Sequence, residues 1–396
     1  MKLLYLIFSF NMLLFLSCKQ AYNSPAITSP GSYLVVEGVI NNSSDSTIIK
    51  LNYTVNIADS VTISPVLNAK LAVQDDQNSV FPLTEIANGR YFAVNLNLDN
   101  TRTYRLIINT ANNKQYYSDY VSVLNAPPID SVYFTLSNNL VNINTATHDA
   151  TNTVKYYRWD YKETWIIQSA YFSYFKSNGD TVLARDLIND NIYQCWASNN
   201  SSTLVINSTA KLSQPLLKDN IITSFPQSSE KLAHRYSILV NQYALSADAY
   251  NFWTNLKKNT EKLGSIFDAQ PSQNNGNMHC KTNPIEPVIG YISVGSVTTK
   301  RIFINNQQLP AIASALPYGK CEIDTFLYKY YPPLSKIPIN QVNMNINYKR
   351  GAVSNTQIPL NSIVQPGGKI LGFTGSSRFC VDCTLRGTNK KPDFWK

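Results

Sequence analysis

Few residues of the kinds that enzymes use for catalysis occur in this sequence. It contains only three histidines, His148, His234 and His279. None of them lies in an H-E-x-x-H arrangement, and the chain has neither a G-x-S-x-G nucleophile elbow nor a glycine-rich phosphate loop. Carboxylates are sparse and isolated, so no pair of them is nominated for glycoside hydrolysis. We therefore predict a protein that is not an enzyme and that uses no metal and no cofactor.

Charged residues are also scarce, at 15% of the chain, although the balance is basic with a formal net charge of +9. The lysines and arginines are scattered, and no run of them is longer than two residues. Nucleic-acid-binding proteins cluster their basic residues on one element or face. We thus expect no nucleic-acid partner, and we interpret the charge as a solvated surface with a weak attraction to anionic lipid headgroups.

Long apolar runs are absent after the N-terminus, so no later segment reaches the about 20 residues that a membrane-spanning helix needs. The N-terminus itself has the order of a secretory signal, with a charged start, an apolar run and the sequence Leu16-Ser17-Cys18. These last residues resemble the lipobox of bacterial lipoproteins, in which the cysteine is acylated and becomes the new N-terminus. We predict a signal peptide over residues 1–17, lipidation of Cys18 and a flexible tether over residues 18–31. The alternative is an ordinary cleaved signal peptide with a chance cysteine.

The predicted anchor sets the expected location of the protein. Several acyl chains on Cys18 bind a bilayer stably, whereas a single chain binds only marginally. We expect a lipid-anchored protein of the outer membrane, with the membrane lipid as its first partner. No acidic cluster follows Cys18, and both the periplasmic and the cell-surface face stay open.

Tyrosine is abundant, with 25 residues, and aromatic residues make up 12% of the chain. Together with many Asn, Ser and Thr residues, this composition favours strands and turns over helices. We predict a mainly β protein. Short β-branched and aromatic runs separated by turn signals over residues 32–125 predict an N-terminal β-sandwich that is similar to immunoglobulin-like or transthyretin-like modules.

A pair of prolines, Pro127 and Pro128, marks the end of the predicted sandwich, because proline cannot continue strand pairing. Residues 126–396 are predicted to form a larger β-rich, α+β domain with one main helix over residues 247–263. Ser246 is a suitable N-cap for this helix, and Asp248 in the first turn interacts favourably with the helix dipole.

Five cysteines follow Cys18: Cys195, Cys280, Cys321, Cys380 and Cys383. All five are disulfide candidates in an oxidising envelope, and their pairing cannot be derived from the sequence. The Cys380-x-x-Cys383 motif has three interpretations that the sequence leaves open. It is a redox pair, or half of a zinc site with His279, Cys280 and Cys321, or a structural clamp that pins the C-terminal tail while Phe394 and Trp395 enter the core.

An aromatic tract offers the nearest approach to a ligand site. Trp159, Trp165 and Tyr171 are candidates for stacking on a sugar or peptide, and Glu163 lies between the two tryptophans as a polar partner. The alternative is that these side chains face a core, as strand aromatics usually do.

Several segments together resemble one known family. Tyr33-Leu34-Val35-Val36-Glu37-Gly38 opens the first domain, Tyr250-Asn251-Phe252-Trp253 lies in the predicted helix, and Lys391-Pro392-Asp393-Phe394-Trp395 ends the chain after the cysteine motif. With the lipobox, they are similar to the Bacteroidota lipoprotein family known as domain of unknown function 4249, over nearly the whole mature chain. The resemblance implies an outer-membrane lipoprotein and brings no catalytic residues.

The resemblance also implies a function, because members of this family are often encoded beside TonB-dependent transporters. Our leading hypothesis is a non-enzymatic lipoprotein that partners such a β-barrel transporter in substrate capture or assembly. The first alternative is an autonomous glycan- or peptide-binding lipoprotein that uses the aromatic tract. The second alternative is an envelope hydrolase.

Overall fold

The computed structural model describes residues 32–43, 45–55, 63–261, 276–311, 316–346 and 357–396. The predicted signal peptide, Cys18 and the tether lie outside the described residues. Strands dominate the described chain, and the prediction of a mainly β fold is confirmed. No helix in the described ranges is both long and apolar enough to cross a membrane.

Many short strands form several sheets. In chain order they are β1 (Leu34–Ile40), β2 (Thr47–Tyr53), β3 (Ser64–Pro65), β4 (Lys70–Asp75), β5 (Val80–Ala87), β6 (Arg90–Ala93), β7 (Thr103–Asn109), β8 (Gln115–Ser118), β9 (Val121–Ser122), β10 (Ile129–Ser137), β11 (Leu140–His148), β12 (Tyr156–Gln168), β13 (Phe175–Ser177), β14 (Val182–Ala184), β15 (Gln194–Asn200), β16 (Val205–Ser208), β17 (Leu216–Pro226), β18 (Arg235–Leu245), β19 (Met278–Cys280), β20 (Ile289–Gly290), β21 (Ser293–Val294), β22 (Val297–Asn305), β23 (Asp324–Leu327), β24 (Ile358–Val364) and β25 (Ile370–Ser376). The helices are α1 (Ala247–Glu261), α2 (Gln341–Asn345) and α3 (Arg378–Val381), with short 3-10 turns at Glu230–Leu232, Asn306–Gln308 and Cys383–Leu385.

The N-terminal lobe is one continuous ladder that folds over on itself, in the order β19-β8-β7-β4-β5-β6-β2-β1-β20. Strand β5 makes the corner, since its first half pairs with β4 and its second half pairs with β6. Strands β4 and β7 alternate buried with less buried residues, as strands with one face on a core do. The turn after β5 uses Asn88 and Gly89, both with positive φ, which is the chemistry of a tight hairpin.

Residues 276–294 belong to this first lobe in space, although the sequence division at residue 125 assigns them to the C-terminal domain. Strand β19 pairs with β8, and strands β20 and β21 pair in parallel with β1. Gly290 permits the close approach, because a Cβ there would lie 2.3 Å from the carbonyl oxygen of Val36. Such pairing joins segments far apart in the chain and leaves no local sequence signal.

The middle lobe packs a three-stranded sheet, β10-β11-β17, against the sheet β15-β12-β18-β22 with β16. One apolar cluster fills the space between them and includes Val141, Ile143, Tyr157, Trp159 and Ile238. Helix α1 packs near β12, where Tyr250 lies 4.7 Å from Tyr156 between ring centroids. The main helix is confirmed over Ala247–Glu261, and the last two residues of the predicted range lie outside the described part of the chain.

The N-cap prediction for α1 is confirmed by a hydrogen bond. The backbone N–H of Ala249 donates to Ser246 Oγ at 3.1 Å. Asp248 lies in the first turn as predicted. A polar cap satisfies one of the backbone donors that a helix start leaves without a partner.

The structure contains a C-terminal lobe that the sequence-based division into domains did not separate from the middle lobe. It consists of the hairpin β13-β14, the sheet β23-β25-β24 and helices α2 and α3. Phe326, Val342, Ile346 and Phe373 form one of its small cores. A second small core contains Leu360, Cys380 and Val381. We use the name C-terminal lobe for residues 170–193, 316–346 and 357–382.

The turn between β11 and β12 is organised around the buried carboxylate of Asp149. Its oxygens accept hydrogen bonds from the backbone N–H groups of Thr151, Thr153 and Val154 and from the hydroxyls of both threonines, at 2.7–3.1 Å. Burial acts to raise the pKa of Asp149, but these hydrogen bonds dominate and lower the pKa to about 2.

We expect Asp149→Asn to destabilise the protein at neutral pH and to remove part of its acid sensitivity. The carboxyl has a pKa of about 2 in the folded chain against an ordinary value of 3.8. Its stabilisation, about 2 kcal/mol, is therefore present above pH 4 and is lost as the pH falls through 2. Denaturant unfolding of the wild type and the variant at a series of pH values measures the difference. Glu37→Gln, on an exposed strand position, is the control and should leave the curve unchanged; equal stability of Asp149→Asn and wild type at pH 7 would contradict the assignment.

Candidate functional site

Trp159 lies in the core of the middle lobe and not on a surface. Its side chain is 1% exposed, its ring stacks on that of Tyr157, and its Nε1–H donates to Gln242 Oε1 at 2.9 Å. Strand alternation directs Trp159 to the inner face of β12. The prediction that Trp159 stacks on a ligand is therefore wrong.

Trp165 and Tyr171 are also engaged with the protein itself. Trp165 is half-buried against two apolar clusters, and Lys231 Nζ lies 5.2 Å from its ring centroid. The hydroxyl of Tyr171 donates to the carbonyl of Cys321 at 2.7 Å, and its backbone N–H donates to the carbonyl of Cys380 at 3.2 Å. Both residues hold neighbouring segments in place, which is the structural alternative that the sequence left open.

Glu163 belongs to a buried polar network and does not lie at a surface where it could bind a sugar. Its Oε1 accepts the hydroxyl of Tyr236 and its Oε2 accepts Lys231 Nζ, each at 2.6 Å. Burial and the neighbouring Glu163 carboxylate raise the pKa of Tyr236, which remains a neutral donor. A buried carboxylate with both oxygens occupied stabilises the lobe and is not free to act as a base.

The cysteines form two disulfides that both start from the Cys-x-x-Cys motif. Cys383 bonds to Cys195 in β15, and Cys380 bonds to Cys321. Cys280 is free and buried. Of the three interpretations of the motif, the structure contains the structural clamp. Trp395 is buried against Trp196 and Phe303, as expected for a C-terminal tail that is held in place.

The redox and zinc interpretations do not match this pairing. Cys380 and Cys383 bond to two distant cysteines and not to each other. Cys321, needed for the zinc site with His279 and Cys280, is occupied by its disulfide. Among the described residues, no group of three or more His, Cys, Asp and Glu side chains is arranged to hold a metal ion.

The three histidines lie in separate places. His148 pairs with Asp130 at 2.8 Å and His279 pairs with Asp119 at 2.9 Å, both at exposed positions. The hydrogen bond and charge of Asp130 raise the pKa of His148, whereas burial lowers the pKa of His234.

Exposed apolar side chains are concentrated on the C-terminal lobe. This lobe holds about a quarter of the described residues but more than half of the large apolar side chains that face solvent. They are Tyr174, Leu183, Leu187, Ile188, Leu316, Ile323, Tyr331, Leu334, Ile337, Ile339, Met344, Val364, Ile370, Leu371 and Phe379. Concentrated exposed apolar surface marks sites of interaction with proteins or membranes. We call this set the apolar surface.

Two segments of the C-terminal lobe each place several residues of the apolar surface close together. The first is the tip of the β24–β25 hairpin, where Val364 and Ile370 lie opposite each other on neighbouring strands and both face solvent. The second is a proline-rich loop over residues 330–339, closed at its base by backbone hydrogen bonds between Tyr330 and Ile339 at 2.8 and 3.0 Å.

The sequence reasoning missed this surface, although a signal for it is present. No Asp or Glu occurs from residue 325 to residue 381, whereas Lys329, Lys336, Lys349, Arg350, Lys369 and Arg378 all fall in that segment. The basic residues are spaced apart, so a search for basic runs passes over them. A search for long segments without acidic residues would have found the segment.

A shallow depression on the N-terminal lobe is a second candidate. It has a volume of about 480 Å³ and lies at the corner between β5 and β6. Phe81, Pro82 and Phe92 line it with Thr84 and Asn95, and Val80 and Val94 stand exposed at its rim. Its mixed apolar and polar lining suits a small ligand or a peptide segment.

Comparison with known families gives one match. The family model described as a domain of unknown function, DUF4249, matches residues 21–301, which is more than half of the chain. The protein belongs to the DUF4249 family. A search of curated proteins found no match.

The DUF4249 match confirms the resemblance seen in the sequence but covers less of the chain than expected. It ends at residue 301, within β22. The cysteine motif and most of the apolar surface lie beyond that point. The expectation that the resemblance extends over nearly the whole mature chain was too broad.

We expect replacement of Trp159 in this DUF4249 protein to destabilise the fold. We do not expect it to remove a contact with a ligand. Trp159→Ala removes a fully buried ring and should lower the free energy of unfolding by about 3–5 kcal/mol. Tyr174→Ala, at an exposed aromatic position, should leave it nearly unchanged. Denaturant unfolding of both variants provides the measurement, and a stable Trp159→Ala protein would show that the ring lies outside the core.

The disulfide pairing predicts a definite peptide map. Non-reducing digestion should give Cys195 linked to Cys383 and Cys321 linked to Cys380, with Cys280 reacting with an alkylating reagent only after unfolding. Loss of the first bridge in a Cys195→Ser, Cys383→Ser protein should cost about 2–5 kcal/mol, since this bridge closes a long loop. A peptide in which Cys380 is linked to Cys383 would revive the redox interpretation.

Proposed function

We propose that the protein is a non-catalytic outer-membrane lipoprotein that acts as the partner of a TonB-dependent β-barrel transporter, in substrate capture or in assembly of the transporter. The observation that carries this proposal is the concentration of exposed apolar side chains on the C-terminal lobe. A monomer that exposes apolar side chains to water gains free energy by covering them, and a protein partner is one of the covers that such surfaces mark.

The tip of the β24–β25 hairpin is the part of the surface best suited to a protein partner. Val364 and Ile370 form a cross-strand pair that faces solvent, and Leu371, the next residue of β25, is exposed on the other face of the hairpin. Two paired strands hold these side chains in fixed positions, so little side-chain and backbone freedom is lost on binding. Apolar side chains that are already ordered in the free protein cost less conformational entropy to bury in an interface.

The proposed compartment agrees with the chemistry of the cysteines. Disulfides persist in oxidising compartments such as the bacterial envelope, and they are rare in the cytosol. Two bridges in one chain favour an envelope protein. The lipobox-like Leu16-Ser17-Cys18 supplies the membrane attachment in this proposal, and the family resemblance supplies the transporter.

Autonomous peptide or glycan binding is the second candidate function, and the depression on the N-terminal lobe is the observation that favours it. Phe81 and Phe92 line it, with Thr84 and Asn95 as polar residues. This site replaces the aromatic tract as the place for such a ligand, because Trp159 is buried. Envelope hydrolysis has no comparable observation in its favour.

The transporter partnership is tested by cross-linking in native outer membranes followed by affinity capture and mass spectrometry. We expect one β-barrel transporter to be recovered with the wild-type chain and to be lost with Ile370→Glu, because a charge at an apolar contact must be desolvated without a partner. Ile285→Glu is the matched control, since Ile285 is an exposed apolar residue outside the C-terminal lobe.

The outcome separates the two candidate functions. Recovery of the barrel with wild type and with Ile285→Glu, but not with Ile370→Glu, supports the proposal. Capture of no barrel by any of the three, with the protein abundant and monomeric, would overturn it. Binding assays with Phe92→Ala on glycan and peptide arrays would then test the depression.

A further inference from the structure

The loop over residues 330–339 has a fixed shape although it projects from the lobe. Tyr330 and Ile339 exchange both of their backbone hydrogen bonds at its base. Inside the loop, the N–H of Ser335 donates to the carbonyl of Pro332 at 3.0 Å and the N–H of Ile337 donates to Ser335 Oγ at 3.1 Å. These bonds fix the backbone at the base of the loop and across its tip.

Those side chains are apolar and point away from the protein. Leu334 is fully exposed, Ile337 is 75% exposed and Tyr331 is 58% exposed. Leu334 also has a φ of 66°, a left-handed conformation that residues with bulky side chains rarely adopt. Strained backbone at an exposed apolar tip brings no packing gain within the fold, and such strain is found most often at binding sites.

The backbone of the loop is suited to apolar surroundings. Pro332, Pro333 and Pro338 have no N–H group, and the donors of Ser335 and Ile337 are already satisfied within the loop. Backbone donors without partners are the main obstacle to placing irregular chain in a lipid environment. The three prolines and these two hydrogen bonds lower the number of such donors in the loop.

The positive charges near the loop favour a lipid over a protein as the partner that covers its apolar side chains. Lys329 directly precedes the loop and Lys336 lies between Leu334 and Ile337; both are exposed, within the segment from 325 to 381 that contains no Asp or Glu. The cores of protein interfaces are depleted in lysine. Membrane interfaces, in contrast, combine tyrosine and lysine with an apolar segment, because lysine reaches the phosphates while the apolar residues enter the acyl region.

We propose that the loop over residues 330–339 is a second membrane contact, which places Leu334 and Ile337 at the headgroup–acyl boundary of a bilayer with anionic lipids and places Lys329 and Lys336 at the phosphates. This contact is independent of a transporter and of the acyl chains on Cys18. Together with an N-terminal anchor, it fixes the face of the protein that lies against the membrane.

Fluorescence from a label at the loop tip tests this contact. Leu334→Cys is labelled with an NBD maleimide in the lipidated chain, in which Cys18 carries the acyl chains; the disulfide-bonded cysteines and buried Cys280 do not compete. With vesicles of phosphatidylcholine and phosphatidylglycerol, we expect a blue shift and a rise in emission, because the probe moves from water to an apolar environment. With vesicles of phosphatidylcholine alone, the rise in emission should be much smaller. It should also be much smaller on anionic vesicles when the labelled protein carries Lys329→Glu and Lys336→Glu.

Ile285→Cys provides the matched control, because Ile285 is 91% exposed and lies on a different lobe. Its label should report water on every vesicle, even when the acyl anchor holds the protein to the membrane. Thermal unfolding of each labelled protein establishes that the fold is kept.

Two results would overturn the proposal. The first is a label at position 334 that stays in water on anionic vesicles while the protein is bound to them. The second is a label that responds only when solubilised outer-membrane proteins are added, because the occupant is then a protein pocket. Neither result bears on transporter capture through Ile370, so a failure here is distinguishable from a failure of the proposed function.

Discussion

Two disulfides that begin three residues apart hold the C-terminal tail of this protein in place. Cys383 is bonded to Cys195 in the sheet of the middle lobe, and Cys380 is bonded to Cys321 in the C-terminal lobe. The short helical turns that contain them therefore join two small cores that each bury few apolar residues. Bridges that close long loops gain most from the entropy removed from the unfolded chain, about 4 to 5 kcal/mol each on the chain-entropy model.

The rest of the tail extends this clamp by non-covalent contacts. Thr388 exchanges backbone hydrogen bonds with Trp196, and Arg386 makes two hydrogen bonds to the carboxylate of Glu230 at 2.8 and 2.9 Å. Trp395 then packs its ring against Trp196. A lobe fixed along its boundary in this way can present the hairpin tip and the proline-rich loop without a large core of its own.

The burial of Trp159 explains why the structure does not contain the ligand site that the sequence indicated. Trp159 and Tyr236 lie inside the middle lobe, where Gln242 and Glu163 satisfy their polar atoms. Tyrosine and tryptophan in a strand carry the same sequence signal whether they face a core or a ligand. Whether such a residue is buried depends on what covers its strand. A second sheet covers β12 on the face that holds Trp159.

The sequence by itself determined what depends on neighbouring residues: the β-rich class, the capped helix after Ser246, and the membership of the DUF4249 family. The tertiary structure alone decided what depends on distant residues: the pairing of the cysteines, the return of residues 276–294 to the first lobe, and the separation of the C-terminal lobe. Strand pairing and disulfide bonding join positions far apart in the chain, so no local pattern specifies them. The apolar surface follows the same rule, since the exposure of Leu334 or Ile370 is a property of what the fold leaves uncovered.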